Sequence, residues 1–128
     1  MKALIDTQVF LWWVINDPRL SRRAVELISD GNNDIYVSAA SCWEIAIKAG
    51  LSKLAVKGDL REFIIEQINV NAFFSLPVGV EHALYVAKLP HHHRDPFDRI
   101  LVAQAQLEEM PLVTADDLIK AYRVDTWW

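Results

Sequence analysis

The sequence has a single cysteine, Cys42, so no internal disulfide can form, which fits a reducing compartment. It lacks a basic surplus: 13 Lys and Arg stand against 17 Asp and Glu, a formal net charge of −4. The surface as a whole is therefore no electrostatic magnet for nucleic acid, and an anionic substrate would need a local basic patch or a metal ion. Long apolar runs are missing too. Val9 to Ile15 is far shorter than the roughly 20 residues that span a bilayer. Asp6 interrupts the apolar N-terminus too early for a signal peptide, so a cytoplasmic protein without membrane attachment is expected. No repeat, low-complexity segment or linker-like stretch divides the chain. Its 128 residues, 52% of them hydrophobic, predict one domain over 1–128 with a proper core rather than a disordered segment.

Elements follow in alternation. Lys2 to Ile5 reads as a buried strand ending in Asp6, and Thr7 is a candidate cap for an apolar helix over Gln8 to Ile15. Ser21 caps a second helix, Arg22 to Ser29. Ile35 to Val37, β-branched and aromatic, is a second strand. Ser38 and Ser41 are both candidate caps for a helix reaching Ala49, with Glu44 early in it and Trp43, Ile47 and Leu51 as an apolar stripe. Leu60 to Val70 is an amphipathic helix, Phe73 to Leu76 a third strand, and Glu81 to Leu89 a helix stopped by Pro90. Pro111 to Thr114 is a fourth strand, Ala115 to Tyr122 a short helix, and Arg123 to Trp127 a final edge strand. Strands separated by helices predict an α/β fold with a central, mostly parallel sheet of about five strands and helices on both faces.

The most informative stretch is His91 to Ala105. Asp95 is a good N-cap and Pro96 suits the first helical position. Asp98 falls in the first turn, where the helix dipole favours an anion. Phe97, Ile100, Leu101 and Ala105 recur at helical spacing and predict a core-facing stripe. Arg94 and Arg99 flank the acids, either to pair with Asp95 and Asp98 or to grip phosphates.

In open parallel sheets ligands bind beyond the carboxyl ends of the strands. Asp6, Glu44 and Asp116 follow the first, second and fourth strands, and Asp98 joins them if the loop before its helix allows. Each has an ordinary alternative: Asp6 as a turn residue, Glu44 as partner of Ser41 in a capping box or of Lys48 at i,i+4, Asp116 or Asp117 as a helix-opening acid. Four together are different. Two carboxylates about 5 Å apart at an effective dielectric near 20 repel by roughly 3 kcal/mol, so such a cluster must be protonated or hold a cation. Oxygen ligands suit Mg²⁺ or Mn²⁺, which leave room for a phosphate oxygen and an attacking water. No protein nucleophile is evident. Cys42 lies in an apolar helix, and no Ser/His pairing is indicated.

Four segments carry a resemblance: LIDTQVFLWW (4–13), VSAASCWEIAIKAG (37–50), LPHHHRDPFDRILVAQA (89–105) and LVTADDLIKAY (112–122). They resemble the PIN domain ribonucleases, in particular the VapC toxins of prokaryotic toxin–antitoxin pairs. The resemblance implies a PIN-like fold and a catalytic, metal-binding set at Asp6, Glu44, Asp98 and Asp116, the last at Thr114-Ala115-Asp116 with Asp117 as its rival. It implies Mg²⁺- or Mn²⁺-dependent cleavage of RNA, a cognate antitoxin and a homodimer. Thr7 and Ser38 are expected to orient water or phosphate by hydrogen bonds, and Arg94 and Arg99 to contact substrate. Gln8 stands where the family often has a histidine.

Other features are weighed against this. His91 to His93 lack the companion ligands of a zinc site and are expected in a solvated loop; His93 alone matches the family pattern. Trp12 and Trp13 are expected in the core or a dimer surface, and Trp127 and Trp128 packed on this domain or a partner. Aspartyl-phosphate chemistry would need a second Asp two residues after Asp6, where Gln8 stands. A non-catalytic PIN-like module binding RNA or protein is the remaining alternative.

Overall fold

The computed structural model describes residues 1–51 and 58–128. In chain order the elements are β1 (Lys2–Ile5), α1 (Thr7–Val14), α2 (Arg22–Ser29), β2 (Asp34–Ser38), α3 (Ala39–Gly50), α4 (Leu60–Val70), β3 (Phe74–Leu76), α5 (Val80–Tyr85), α6 (Pro96–Leu107), β4 (Leu112–Val113) and β5 (Thr126–Trp127). Single 3₁₀ turns cover Val86–Lys88 and Ile119–Ala121. Among the described residues no helix is long and apolar enough to cross a membrane.

All strand pairings are parallel, in the order β3-β2-β1-β4-β5. The expected α/β architecture is therefore the observed one. Strand alternation explains the two layers of core. Ala3 and Ile5 of β1, Ile35 and Val37 of β2 and Val113 of β4 face one side, where they meet Phe10, Leu27, Ile45 and Ile68 from the early helices. Leu4 and Leu112 face the other, against Leu101, Val102 and Ala105 of α6. β1 is central, with Ile5 paired to Val37 on one edge and to Val113 on the other. The sheet order reverses between β1 and β4, and a crevice opens beyond their carboxyl ends.

Several boundaries differ from expectation for local reasons. Asp6, not Thr7, caps α1, because its carboxylate accepts from the Val9 N–H at 2.7 Å. The helix expected over Glu81 to Leu89 tightens into 3₁₀ geometry at Val86, where the Arg99 guanidinium takes the Val86 and Leu89 carbonyls. The expected helix from Ala115 does not form: Asp116 Oδ1 accepts from the Leu118 N–H, an Asx turn that competes with helix. The stripe of Trp43, Ile47 and Leu51 faces outward, at 64%, 39% and 62% exposure. α3 instead turns its more polar face inward, burying Ser41 and Glu44 beside Ala40 and Ile45.

The central part of α6 is buried at Leu101, whereas its neighbour Ile100 is half-buried. Leu101→Ala is expected to lower the unfolding free energy in urea by about 2–5 kcal/mol, and Ile100→Ala by less than about half as much. Equal losses at the two positions would contradict this orientation of the helix.

Candidate functional site

A cleft of about 310 Å³ lies at the carboxyl edge of the sheet, over the β1–β4 reversal. Asp6, Glu44, Asp98 and Asp116 all line it, together with Thr7, Gln8, Trp12, Lys48 and Asp95. Each acid arrives by a different local route. Asp6 is the first residue beyond β1, and its own N–H donates to the Val113 carbonyl of β4. Glu44 sits on the second turn of α3, whose start is fixed by Ser38 accepting from the Ala40 N–H. Asp98 lies in the first turn of α6, capped by Asp95 Oδ1, which accepts from the Phe97 and Asp98 N–H groups at 2.8 and 3.3 Å. Asp116 follows β4, its N–H donating to Thr114 Oγ1.

The electrostatics are strained in the way the charge argument requires. Asp6 is buried, and desolvation pushes its pKa up from 3.8 to about 6, with the charges of Asp116 and Glu44 adding to the rise. Hydrogen bonds from Thr114 and the Val9 N–H pull the other way. Asp98 rises to about 7, first through burial, then through the neighbouring charges of Asp95 and Asp6, with Glu44 adding and His93 opposing. Both shifts say that the cleft disfavours further negative charge unless a cation is present.

Two cationic or protonated groups meet part of that demand. His93 Nε2 lies 3.0 Å from Asp98 Oδ2 and 2.8 Å from Asp116 Oδ2. Its Nδ1 accepts from the Asp95 N–H at 3.1 Å, so the neutral ring carries its proton on Nε2 and donates it toward the two carboxylates. His93 thus braces Asp98 against Asp116, although one ligand atom each of His93, Asp98 and Asp116 lie within 4.8 Å of one another. Lys48 Nζ pairs with Glu44 Oε2 at 2.6 Å. The other oxygen, Glu44 Oε1, is buried with no hydrogen-bond partner among the described residues, and so is Trp12 Nε1. A buried carboxylate oxygen without a donor, amid further carboxylates, is a donor set that fits a hard divalent cation.

The remaining expected residues divide. Thr7 lines the cleft, its Oγ1 donating to Ser41 Oγ at 2.9 Å. Arg94 is exposed and lines an adjoining groove. Asp117 points away, 91% exposed, and pairs with Lys120, so Asp116 is the acid at the cleft. Ser38 is a correction: fully buried, it donates to Gln104 Oε1 at 2.6 Å and caps α3, leaving it away from the cleft. Arg99 is another. It is 8% exposed, and its guanidinium donates to the carbonyls of Pro90, Val86 and Leu89 and to the Tyr122 hydroxyl. A guanidinium committed to those acceptors is a clamp inside the fold rather than a phosphate contact.

Sequence reasoning passed over His93 as a solvated loop residue, Lys48 as a helix partner and Asp95 as a cap. The signal for Lys48 was its i,i+4 spacing from Glu44. For His93 it was the match of this one histidine, among three, to the pattern upstream of Asp95-Pro96.

The PIN domain family model matches residues 3–125. No curated protein matches the chain at a significant level. Among solved structures the chain is similar to a chain of VapBC2 from Rickettsia felis bound to a DNA fragment from its promoter, with TM-score 0.74 and 17% identity over 99% of this chain and 98% of that one. It is also similar to FitAcB from Neisseria gonorrhoeae, with TM-score 0.67 and 19% identity over 98% and 96% of the two chains. VapBC-5 from Mycobacterium tuberculosis, a member of the VapBC family of toxin–antitoxin systems, gives TM-score 0.58 and 20% identity over 94% and 89%. At these identities the likeness is one of fold.

Two outcomes follow from the site's geometry. The folded-state pKa values of Asp6 and Asp98 stand above 3.8, so the stability they contribute is fully present below about pH 4 and is lost as pH rises through about 6 to 7. The melting temperature of the metal-free protein in EDTA should therefore fall across that window, and Asp98→Asn should flatten the fall; a wild-type curve rising there would contradict it. Arg99→Met should lower the unfolding free energy by about 2–4 kcal/mol in urea by leaving carbonyls without donors. A loss under about 0.5 kcal/mol would remove the clamp.

Proposed function

The chain belongs to the PIN domain family, and from that premise we propose that it is the toxin of a type II toxin–antitoxin pair, a metal-dependent endoribonuclease acting as one domain over residues 1–128. The observation that carries this reading is the meeting of Asp6, Glu44, Asp98 and Asp116 in one cleft, with a buried Glu44 oxygen that has no donor among the described residues.

In this reading Asp6 and Asp98 hold Mg²⁺ or Mn²⁺ directly, Glu44 does so directly or through water, and Asp116 completes the set. The ion supplies Lewis-acid polarisation of the phosphodiester and a lowered pKa for the attacking water. The chain's own residues prepare the ground. Val9 N–H and the Thr114 side chain favour the ionised form of Asp6. His93 keeps Asp98 and Asp116 turned toward each other. Thr7 is placed to orient water or phosphate at the cleft wall, and exposed Arg94 to meet the substrate backbone beside it. Ser38 and Arg99 have no part in contacting substrate. Hydrolysis adds water at phosphorus and breaks one P–O bond of the RNA strand. Single-stranded or loop RNA suits such a cleft, because unpaired strands can enter it.

The solved structures with this fold include VapBC and FitAB complexes. By analogy we assign a cognate antitoxin as partner, inserting a basic side chain at the acidic cleft, and a homodimer in the cytoplasm.

Purified protein freed of antitoxin should cut RNA in Mg²⁺ or Mn²⁺ and stop on addition of EDTA. Asp98→Asn should reduce cutting by more than about 100-fold, the upper end of what losing a mere supporting partner of a metal ligand costs, with an unchanged circular-dichroism spectrum. Robust cutting in EDTA, or by Asp98→Asn, would sink the reading.

A further inference from the structure

Among the described residues lining the acid cleft, Lys48 is the one side chain with a fixed positive charge, and it shares that cleft with Asp6, Glu44, Asp95, Asp98 and Asp116. Its pairing with Glu44 is uneven. The Glu44 side chain is 8% exposed and the lysine 44%. A pair that served only the helix would lie on the outer face of α3 and contribute little, as exposed i,i+4 pairs do. Here it stands in the cleft wall. Lys48 also lines a second groove of about 380 Å³, which shares Glu44, Lys48 and Asp95 with the cleft and runs on past Arg94 to Ile47 and Phe97. The two grooves therefore meet at Lys48. The second combines an arginine with an apolar floor, and Phe97 there is edge-on to exposed Trp43, with ring centroids 5.2 Å apart. Cations for a backbone and aromatic surface for a base are the two requirements of single-stranded nucleic acid.

Resting on the ribonuclease reading, we propose that Lys48 contacts the RNA phosphate next to the scissile bond, and that the strand leaves the cleft over the Lys48–Arg94 groove. The ammonium is a compact charge on a flexible four-carbon stem. What it offers Glu44 in the free protein it can offer a phosphate oxygen when a strand lies across the cleft, with no covalent step involved.

The test compares wild type, Lys48→Gln and Lys48→Arg on a fluorescein-labelled single-stranded RNA of mixed sequence. Cleavage is measured in Mg²⁺, and binding in Ca²⁺ across a salt series. Loss of one phosphate contact should lower the slope of log affinity against log salt by about 0.7 in Lys48→Gln. KM should rise about tenfold, with kcat changed less than about threefold, and Lys48→Arg should recover most of the loss because the charge is kept. Wild-type cleavage with an unchanged slope and KM in Lys48→Gln overturns the proposal alone. So does a Lys48→Gln effect confined to the melting temperature, which would leave Lys48 a helix partner. Wild-type protein inert on RNA instead overturns the ribonuclease reading, and this proposal falls with it.

Discussion

Carboxylates held together away from water repel, and every element at the carboxyl edge of this sheet bears on how that repulsion is met. The parallel sheet delivers chain ends to a single edge. β1 and β4 deliver Asp6 and Asp116, and the helices α3 and α6 bring Glu44 and Asp98 to the same cleft. Backbone N–H groups and neighbouring side chains offset only part of four negative charges. The N–H of Val9 and the Thr114 side chain ease Asp6, the imidazole of His93 lies between Asp98 and Asp116, and Lys48 takes half of Glu44. The raised pKa values of Asp6 and Asp98 measure what is left over. That remainder of unmet charge is the physical reason to read the cleft as a cation site and not as helix caps alone.

Much of this was legible from the chain. Asp95-Pro96 announces its helix because cap chemistry and the missing proline N–H act within a few residues, and α6 begins at Pro96. Alternating strands and helices announce a parallel sheet for the same local reasons. What sequence could not supply was direction. Ser38 and Arg99 have the chemistry of phosphate contacts, but the fold points one at Gln104 and the other at backbone carbonyls. Conversely Trp43 and Ile47 look like core and face outward, since α3 must turn Ser41 and Glu44 inward. Helices here also stop without glycine: Ala72 and Glu109 take left-handed backbone, both at φ 54°, just after α4 and α6, and α4 still ends at Val70 as its periodicity predicts.

The histidine run shows the same limit at finer scale. His91, His92 and His93 are identical in type and consecutive, yet their surroundings differ. His92 is exposed and edge-on to Tyr122 at 5.0 Å between ring centroids, while His93 reaches the acids. The choice among them is made by the Tyr122 hydroxyl, which accepts from the His93 N–H at 3.0 Å and from Arg99 Nη1 at 3.1 Å, and by the Asp95 N–H that fixes the ring. Two of these partners lie in the same loop–helix corner, and the third comes from beyond β4.

The place of β1 at the middle of the sheet governs the order in which the molecule can mature. One edge of β1 finds β2 within the first 38 residues, but the other stays bare until Leu112 and Val113 arrive. Asp116 and Tyr122 come later still, so the acid pocket closes only after the chain through Tyr122 has been made. Pairings so distant along the chain are entropically late events in folding. A chain still short of Asp116 therefore cannot assemble this pocket, and topology alone withholds whatever activity resides there until that stretch has been made.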